Sequence, residues 1–356
     1  MPSKKSKPVE SVSLGTPSKK RANTTINDIA RLANVSKKTV SRVLNDHPVV
    51  KEETRSKVKK IMAEQGYAPD PRARALAFQR SFLIALAYDN PSPQYVVNMQ
   101  RGILDELEGS DYQLVLHPVD RAKPDFIQKF EAFVERHRPA GVIMPPSVSE
   151  DEALCDMLRQ RDCAYVRIAS VNLDEAPRLV RTHDADGAAQ AARHLASLGH
   201  KRIAHVHGPK SFRSAHERLA GFRAGLEEFG LELDQALTVE AGYTFDSGAR
   251  AANNLLSRAN RPTAIFAGND EMAIGVYTSA RKLGLSIPED LSVVGFDDTP
   301  MASRIAPGLT TVRLPIRDMG REAARGLMRG LSGADASANE SFTPEIILRE
   351  STRALN

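Results

Sequence analysis

TINDIARLANVSKKTVSRVLN, the stretch from residue 25 to residue 45, predicts two short helices joined by a tight turn. Thr25 and Asp28 have the spacing of a capping box, in which two side chains satisfy backbone amides at the start of a helix. Asn34 stands where the turn needs left-handed backbone, which asparagine tolerates. Ser36 suits the cap of the second helix. These signals are typical of a helix-turn-helix that reads DNA.

The apolar residues of this stretch predict which side of each helix packs inward. The packed face of the first helix is predicted to contain Ile29, Ala30, Leu32 and Ala33. The second helix is predicted to bury Val40, Val43 and Leu44. Its opposite face carries hydroxyl groups and positive charges, which suit phosphates and base edges. Any amphipathic helix pair would show this spacing, so the pattern alone leaves a purely structural role open.

Two further helices are predicted beyond this pair. Residues 52 to 65 form an amphipathic pattern with an acidic first turn, and Gly66 stands just after its end. Pro69 prevents continuation of that helix. Residues 71 to 78 predict a separate short helix that begins at Pro71. A helix of that length is marginal in water, so we expect it to fold only when something supports it.

From about Thr25 onward the chain resembles the lactose-repressor (LacI/GalR) family of bacterial transcription regulators. The resemblance rests on the family motif T-I-x-D-I-A-x-x-A-x-V-S-x-x-T-V-S-R-V-L-N, and residues 25 to 45 contain it. A second family element, Y-x-P-x-x-x-A-R-x-L, is similar to the stretch from Tyr67 to Leu76. The resemblance implies that the short helix is a hinge helix that pairs with its dimer mate in the minor groove, where Leu76 kinks the DNA.

The expected DNA contacts divide into base-reading and backbone-holding groups. Residues expected to read the major groove are Lys37, Lys38 and Arg42. Residues expected mainly to hold phosphates are Thr25, Ser36, Thr39 and Asn45. The predicted set is completed by Ser41, Tyr67, Arg74 and Leu76.

Positive charge is concentrated in the N-terminal part of the chain. Residues 1 to 77 contain 17 Lys and Arg residues against 7 Asp and Glu residues, a net charge of +10. The whole chain carries +5, so residues 78 to 356 are net −5. Such a concentration is expected where nucleic acid binds. Residues 1 to 22 are rich in Lys, Ser and Pro and predict a disordered basic tail, with a dedicated DNA arm as the alternative.

Several classes of protein are disfavoured by what the sequence lacks. It has neither the apolar core of a signal peptide nor an apolar run of the roughly 18 residues that a membrane span needs. We therefore expect a cytoplasmic, nucleoid-associated protein. Cys155 and Cys163 lie outside any CxxC spacing, so we expect both to be reduced and structural. No metal site and no cofactor are predicted.

From Ser81 onward, short apolar runs alternate with helical stretches. The runs are FLIALAY, YQLVLHP, AGVIMPP, AYVRIAS, KRIAHVHG, PTAIFAG and LSVVGFDD. Each predicts a buried strand followed by a helix, which is typical of doubly wound parallel sheets. Seven such units exceed one ordinary sheet, so two similar lobes are expected. The fold class is thus an all-α helix-turn-helix domain with a hinge helix, followed by a two-lobed α/β domain like that of periplasmic binding proteins.

The predicted domains follow this division. They are a disordered basic tail (1–22), a helix-turn-helix domain (23–68), a hinge helix and linker (69–80), and an effector-binding and dimerisation domain (81–356). Within the last, lobe 1 is predicted at about 81–182 and 313–343, and lobe 2 at about 183–312 and 344–356.

The resemblance also implies an effector cleft between the lobes. The expected lining residues are Asn90, Tyr95, His183, Arg218, Tyr243, Phe245, Asn269 and Asp297. Arginine, asparagine and aspartate can make paired hydrogen bonds to neighbouring hydroxyls, and Tyr or Phe can cover the apolar face of a sugar. Ordinary structural roles remain open: Asp297 could cap a helix, Tyr95 could be core, and Arg218 could pair with a carboxylate.

These observations together predict a dimeric, effector-controlled DNA-binding transcription regulator, a repressor acting on a pseudo-palindromic operator. A sugar or sugar derivative is the expected effector, with a purine-type co-repressor as the alternative. A transport receptor would need a signal peptide, and a glycoside hydrolase needs opposed carboxylates, whereas Asp297 and Asp298 are adjacent. The chain is therefore not expected to be an enzyme. It ends ILRESTRALN without a heptad tail, which favours a dimer over a tetramer.

Overall fold

The computed structural model describes residues 24–44, 49–67, 81–333 and 337–355. The predicted basic tail, the predicted hinge helix at 71–78, and the candidate DNA contacts Asn45, Arg74 and Leu76 lie outside the described residues. The chain divides between residues 78 and 79 into two compact units.

The described part of the smaller unit contains three helices around a small apolar core. They are α1 (Ile26–Ala33), α2 (Lys37–Leu44) and α3 (Glu52–Glu64). Its buried residues are Ile29, Ala30, Ala33, Val40, Val43 and Val58. The periodic apolar positions of all three helices therefore meet in one cluster, as the amphipathic pattern predicts.

The local signals at the ends of these helices are confirmed. Thr25 Oγ1 accepts a hydrogen bond from Asp28 N at 3.3 Å, and Thr25 N donates to Asp28 Oδ2 at 3.0 Å. Asn34 has left-handed backbone (φ 53°, ψ 48°). Ser36 Oγ accepts from Thr39 N at 3.1 Å, and Gly66 follows α3 with φ of 58°. The caps at the helix starts thus satisfy backbone amides, and the N–H groups of Asn34 and Gly66 donate to carbonyls at the helix ends.

The prediction for Leu32 is wrong, because its side chain is 44% exposed. Ile29, Ala30 and Ala33 form the buried stripe of α1. At about 3.6 residues per turn, Leu32 projects from the margin of that stripe rather than from its centre.

The larger unit alternates strands and helices. Its first elements are β1 (Leu83–Tyr88), α4 (Pro93–Leu107), β2 (Gln113–Pro118), α5 (Phe126–His137), β3 (Gly141–Met144), α6 (Glu152–Gln160), β4 (Ala164–Ala169) and β5 (Leu179–Thr182). Next come α7 (Asp184–Ser197), β6 (Ile203–His207), α8 (Arg213–Glu227), β7 (Thr238–Glu240), α9 (Phe245–Leu256), β8 (Ala264–Ala267), α10 (Asp270–Lys282), β9 (Ser292–Phe296) and β10 (Thr310–Arg313). The last described elements are α11 (Ile316–Ser332), β11 (Ser341–Phe342) and β12 (Glu345–Ile347).

These strands form two six-stranded sheets. The first sheet has the order β11-β5-β4-β3-β1-β2 with every pair parallel. The second has the order β12-β10-β9-β8-β6-β7, in which β12 runs antiparallel to β10. We call the first sheet with α4 to α6 and α11 the first lobe, and the second sheet with α7 to α10 the second lobe. The chain crosses between them after β5, β10 and β11.

All seven predicted strands are present, which confirms the two-lobed parallel architecture. Five strands that the sequence did not predict complete the sheets, namely β5, β7, β10, β11 and β12. These strands are two to four residues long, and β10 buries Thr310 and Thr311, so they lack the apolar runs that marked the others. Among the described helices, not one combines the length and the apolar character that crossing a lipid bilayer requires.

Helices α7 and α8 of the second lobe cross at very short range. A methyl group at Gly221 would lie 2.0 Å from the backbone oxygen of Ala185. The crossing is therefore possible only because Gly221 has no side chain. It matters for the cleft because Asp184 and Arg218, which are neighbours of these two positions on their helices, form a buried ion pair.

We expect Gly221→Ala to lower the free energy of unfolding by about 1 to 3 kcal/mol, because the added methyl group forces the helices apart. Gly330→Ala is the matched control, since Gly330 lies within α11 and a methyl group there would meet nothing within 4 Å. That substitution should stabilise the protein by about 0.5 to 1 kcal/mol. Denaturant unfolding followed by circular dichroism measures both, and equal effects would contradict the close crossing.

Candidate functional site

The smaller unit presents a polar face on α2. The side chains of Ser36, Lys37 and Lys38 are exposed, and those of Thr39, Ser41 and Arg42 are partly exposed. Within the described residues, Lys37, Lys38 and Arg42 form no ion pair. Three unpaired cations on one short helix leave their charge available to an outside anion.

Four of the predicted DNA contacts, Thr25, Ser36, Thr39 and Tyr67, take part in the local structure of this unit. The Thr25 hydroxyl donates to Asp28 Oδ2 at 2.6 Å. The hydroxyls of Ser36 and Thr39 lie 2.9 Å apart. Tyr67 packs against the apolar core, and its amide donates to the Met62 carbonyl at 2.9 Å. Their predicted contacts with phosphates remain predictions.

A cleft in the larger unit brings together six of the eight predicted effector contacts. They are Asn90, Tyr95, Arg218, Tyr243, Asn269 and Asp297. The space, including the part open to solvent, is about 410 Å³. The six residues follow strands or begin helices of both sheets, so the carboxyl ends of the parallel strands converge here.

Arg218 lies at the centre of the cleft with its charge paired. Its Nε and Nη2 each lie 2.8 Å from Asp184 Oδ1, and its Nη1 donates to the Gly268 carbonyl at 2.6 Å. The guanidinium stacks over the Phe296 ring, 3.7 Å from its centroid. Asp184 Oδ2 accepts from the Thr182 hydroxyl at 2.5 Å. The position of Arg218 is therefore fixed before any ligand enters.

Three buried polar atoms of the cleft have no hydrogen-bond partner among the described residues. They are Tyr95 Oη, Tyr243 Oη and Asp297 Oδ1. Asp297 Oδ1 lies 3.9 Å from Arg218 Nη2, which is too far for a hydrogen bond. Unpaired polar groups are costly in a protein interior. Their convergence on one space therefore indicates that a hydrogen-bonding ligand belongs there.

Burial changes the ionisation of these groups. It raises the pKa of the Asp297 carboxyl well above its ordinary value, although Arg218 opposes the shift. It also raises the pKa of Tyr95, and raises that of Tyr243 to about 12. Both tyrosines therefore remain neutral hydroxyls near neutral pH, able to donate and to accept hydrogen bonds.

Two of the unpaired residues have unusual backbone. Tyr243 has φ of 58° and Asp297 has φ of 106°, values that residues other than glycine rarely adopt. Such strain persists where the surrounding structure holds the residue, and it is concentrated at functional sites. The neighbouring loop is held by Asp270, whose carboxylate accepts from Thr299 N and from Thr311 Oγ1, each at 2.6 Å. Burial raises the pKa of Asp270 to about 7.

Two predicted effector residues do not line this cleft. His183 lines a separate cavity with Arg181 and Asn339, because it precedes α7 at the crossing between the lobes. The next residue, Asp184, enters the cleft instead. Phe245 is 37% exposed at the start of α9.

The sequence analysis missed several lining residues. They are Ser92, Pro146, Thr182, Asp184, Phe212, Ser214, Leu314 and Met319. Phe212 supplies the aromatic surface expected of Phe245, with its ring 5.4 Å from that of Tyr243 at an angle of 83°. Polar residues just beyond strand ends predicted other residues of the cleft. Asp184 follows β5 in the same way, but β5 was not among the predicted strands.

Direct contacts join the two lobes at the edge of the cleft. Arg121 of the first lobe binds Asp89 Oδ2 through Nε at 2.9 Å and the Ser211 carbonyl of the second lobe through Nη2 at 3.1 Å. The Glu150 carboxylate accepts from Arg213 N, at the start of α8, at 3.1 Å. The bonds to Ser211 and Arg213 are therefore direct links between the two lobes.

Other residues that can bind metals have structural partners. His205 is buried, stacks on Phe266 and lies with Nδ1 3.0 Å from the Phe266 carbonyl, while burial lowers its pKa to about 3. Cys155 and Cys163 are buried and free, as expected for structural thiols. The described part of the chain contains no cluster of three His, Cys, Asp or Glu side chains that could hold a metal ion.

Two family models match this chain. Residues 25–70 match the model described as "Bacterial regulatory proteins, lacI family". Residues 192–352 match the model described as "Periplasmic binding protein-like domain". The two matches fall on the helix-turn-helix and on the second lobe with the segments that follow it.

Known proteins are similar over nearly the whole chain. The HTH-type transcriptional regulator DegA of Bacillus subtilis (strain 168) is 34% identical, over 94% of this chain and 99% of its own length. The structure of a transcriptional regulator CelR–cellobiose complex has a TM-score of 0.69 at 30% identity, covering 92% of this chain and 99% of that one. A lac repressor dimer bound to operator and the anti-inducer ONPF has a TM-score of 0.77 at 28% identity, covering 94% of this chain and 100% of that one.

We expect Tyr95→Phe to leave the free energy of unfolding of the ligand-free protein unchanged or to raise it by up to about 1 kcal/mol, because it removes a buried hydroxyl without a partner. Tyr277→Phe is the matched control, since the Tyr277 hydroxyl donates to the Pro307 carbonyl at 3.0 Å. The control should lose about 0.5 to 1.5 kcal/mol. Denaturant titration measures both variants, and an equal loss would show that the Tyr95 hydroxyl has a partner.

Proposed function

The chain belongs to the bacterial regulatory proteins of the lacI family, and we propose that its α2 reads an operator while a hydroxyl-rich effector binds in the cleft between its lobes. The observation that carries the effector proposal is the convergence of three unpaired polar atoms, on Tyr95, Tyr243 and Asp297. In a DNA-binding transcription regulator of this kind, ligand binding in the cleft controls the affinity for DNA.

For the operator, we propose that Lys37, Lys38 and Arg42 contact base edges in the major groove. The exposed cations of α2 support this role, because arginine and lysine recognise guanine there. Residues proposed mainly to hold phosphates are Thr25, Ser36, Thr39 and Asn45, and Ser41, Tyr67 and Arg74 are further proposed DNA contacts. Leu76 is proposed to open a flexible pyrimidine-purine step at the centre.

The proposed DNA-bound form is a dimer on a pseudo-palindromic site, because a two-fold dimer presents the same helix to each half-site. A dimer bound to its operator is what the similar lac repressor structure contains. We propose that the protein acts at the nucleoid in the cytoplasm, because that is where its proposed operator lies.

For the effector, we propose a sugar or sugar derivative. Asn269, Arg218 and Asp297 can form paired hydrogen bonds with neighbouring hydroxyls, and Phe212 with Tyr243 offers aromatic surface for an apolar sugar face. The similar CelR structure contains cellobiose. A purine would use fewer of the hydrogen-bonding groups that the cleft provides, so it is the weaker candidate.

Coupling between effector and operator is proposed to arise from lobe closure. We propose that the first lobe extends over about 81–182 and 313–343 and the second over about 183–312 and 344–356, and the three chain crossings support this division. Closure changes the spacing of the first lobes in the dimer and thereby the support for the hinge helix at 71–78. Linkage makes the effect reciprocal, so operator DNA changes effector affinity by the same factor, typically about 5 to 150.

We expect Arg42→Ala to relax base preference at one position in each half-site and to cost about 1 to 3 kcal/mol of operator binding, because the side chain reads a base edge. Selection from randomised duplexes, followed by competition at fixed salt, measures both effects. Arg31→Ala is the control, since Arg31 lies on α1 and pairs with Asp28 at 3.4 Å. Full retention of specificity by Arg42→Ala would refute the assignment of α2 as the reading helix.

We expect Asp297→Ala to abolish the response to effector while operator binding without effector stays nearly unchanged. Asp297 is buried in the cleft, where it offers an unpaired oxygen to a ligand. The measurement is an operator titration with and without a sugar that a thermal-shift screen has identified. Asp186→Ala is the control, because Asp186 lies on α7 with its side chain 66% exposed. An undiminished response would exclude Asp297 as an effector contact, and lost basal DNA binding would indicate a structural role.

A further inference from the structure

The charges in the cleft are already balanced within the protein. Among the described lining residues, Arg218 is the single cation, and Asp184 and Asp297 are both acids. Two nitrogens of Arg218 contact the same oxygen of Asp184 at 2.8 Å. An anionic ligand therefore cannot bind Arg218 without competing with a carboxylate that is already in place.

Asp297 does not restore a positive charge to the cleft. Burial raises the pKa of its carboxyl, and Arg218 lowers it in turn. With Asp297 neutral, the formal charge of these three side chains is zero, and with Asp297 ionised it is negative. Neither state attracts an anion.

The starts of α7, α8 and α10 are among the helix starts beside the cleft, and a helix start favours negative charge. Each of these starts already has a carboxylate from the protein. Those carboxylates belong to Asp184 for α7, to Glu150 for α8, and to Asp270 and Glu271 for α10. Because the protein neutralises these three helix ends, they offer no open anion site to a ligand. The start of α4, where Ser92 and Tyr95 line the cleft, has no acidic residue in its first turn, so the charge balance of the cleft rests on Asp184 and Asp297.

The unpaired atoms require hydrogen-bond donors as well as acceptors. An ionised Asp297 Oδ1 can only accept, so the ligand must donate to it. The hydroxyls of Tyr95 and Tyr243 can pair with a group of either kind. A sugar hydroxyl both donates and accepts, whereas a phosphate or carboxylate oxygen in its ionised form only accepts.

We infer that the cleft selects uncharged hydroxyl-bearing ligands over their phosphorylated and carboxylated forms, with Asp184 as the residue that sets this selection. The inference rests on the proposed binding of a sugar in the cleft and specifies its charge. A protonated amino sugar is compatible with the same charges, because it adds a donor and a positive charge.

Matched sugars that differ in charge test this inference on the full chain. The neutral probes are glucose, galactose and ribose. Their anionic partners are glucose 6-phosphate, galacturonate and ribose 5-phosphate, and glucosamine is the cationic probe. Calorimetric titration should give the neutral member of a binding pair at least about tenfold higher affinity, with glucosamine no weaker than glucose if glucose binds. Tighter or equal binding of an anionic member overturns the inference and leaves the proposed sugar function intact.

Asp184→Asn tests the assigned residue, with Asp186→Asn on the same helix as control. We expect Asp184→Asn to narrow the ratio of neutral to anionic affinity several-fold, while Asp186→Asn keeps the wild-type ratio. An unchanged ratio in folded Asp184→Asn overturns the role of Asp184. If that variant does not fold, the wild-type titrations alone decide the charge selection. If none of the sugars binds wild-type protein, the proposal of a sugar effector fails together with the inference about the charge of the ligand.

Discussion

The ion pair between Asp184 and Arg218 is the constraint on which the cleft depends. It joins the first residue of α7 to the second turn of α8, two helices that approach each other at Gly221, and both side chains are almost fully buried. Removing one member of a buried pair leaves the other unpaired, at a typical cost of about 3 to 5 kcal/mol. The pair fixes Arg218 against Phe296, and thereby leaves the oxygens of Asp297 and the two tyrosines as the groups that a ligand must satisfy.

Strong local patterns in the sequence were enough to predict most of the fold. The capping residues Thr25 and Asn34 and the seven apolar runs have physical effects that act over a few residues, so their structures follow directly. Short strands such as β5 and β10 form because neighbouring strands hydrogen-bond to them. No local sequence pattern predicts such strands. The site predictions failed to anticipate Asp184 for that reason, since it follows an unrecognised strand.

The two predicted residues outside the cleft, His183 and Phe245, show the limit of position-by-position reasoning. Each stands close in sequence to a residue that does line the cleft, respectively Asp184 and Tyr243. Side-chain direction at a helix start changes by about 100° from one residue to the next, so an adjacent position can face another cavity. Phe212, distant in sequence from Phe245, then provides the aromatic surface. Backbone placement alone could not distinguish these choices.

The contacts of Arg121 with Ser211 and of Glu150 with Arg213 join the two lobes through groups of the protein itself. A ligand can shift a two-state equilibrium only by the difference in its affinity for the two states. The protein's own bonds between lobes set the starting position of that equilibrium. Sequence changes at Arg121 or Glu150 could therefore retune the effector concentration at which a gene responds, while every ligand contact stays the same. Sensitivity to the effector concentration and specificity for the effector would then evolve at separate places on the molecule.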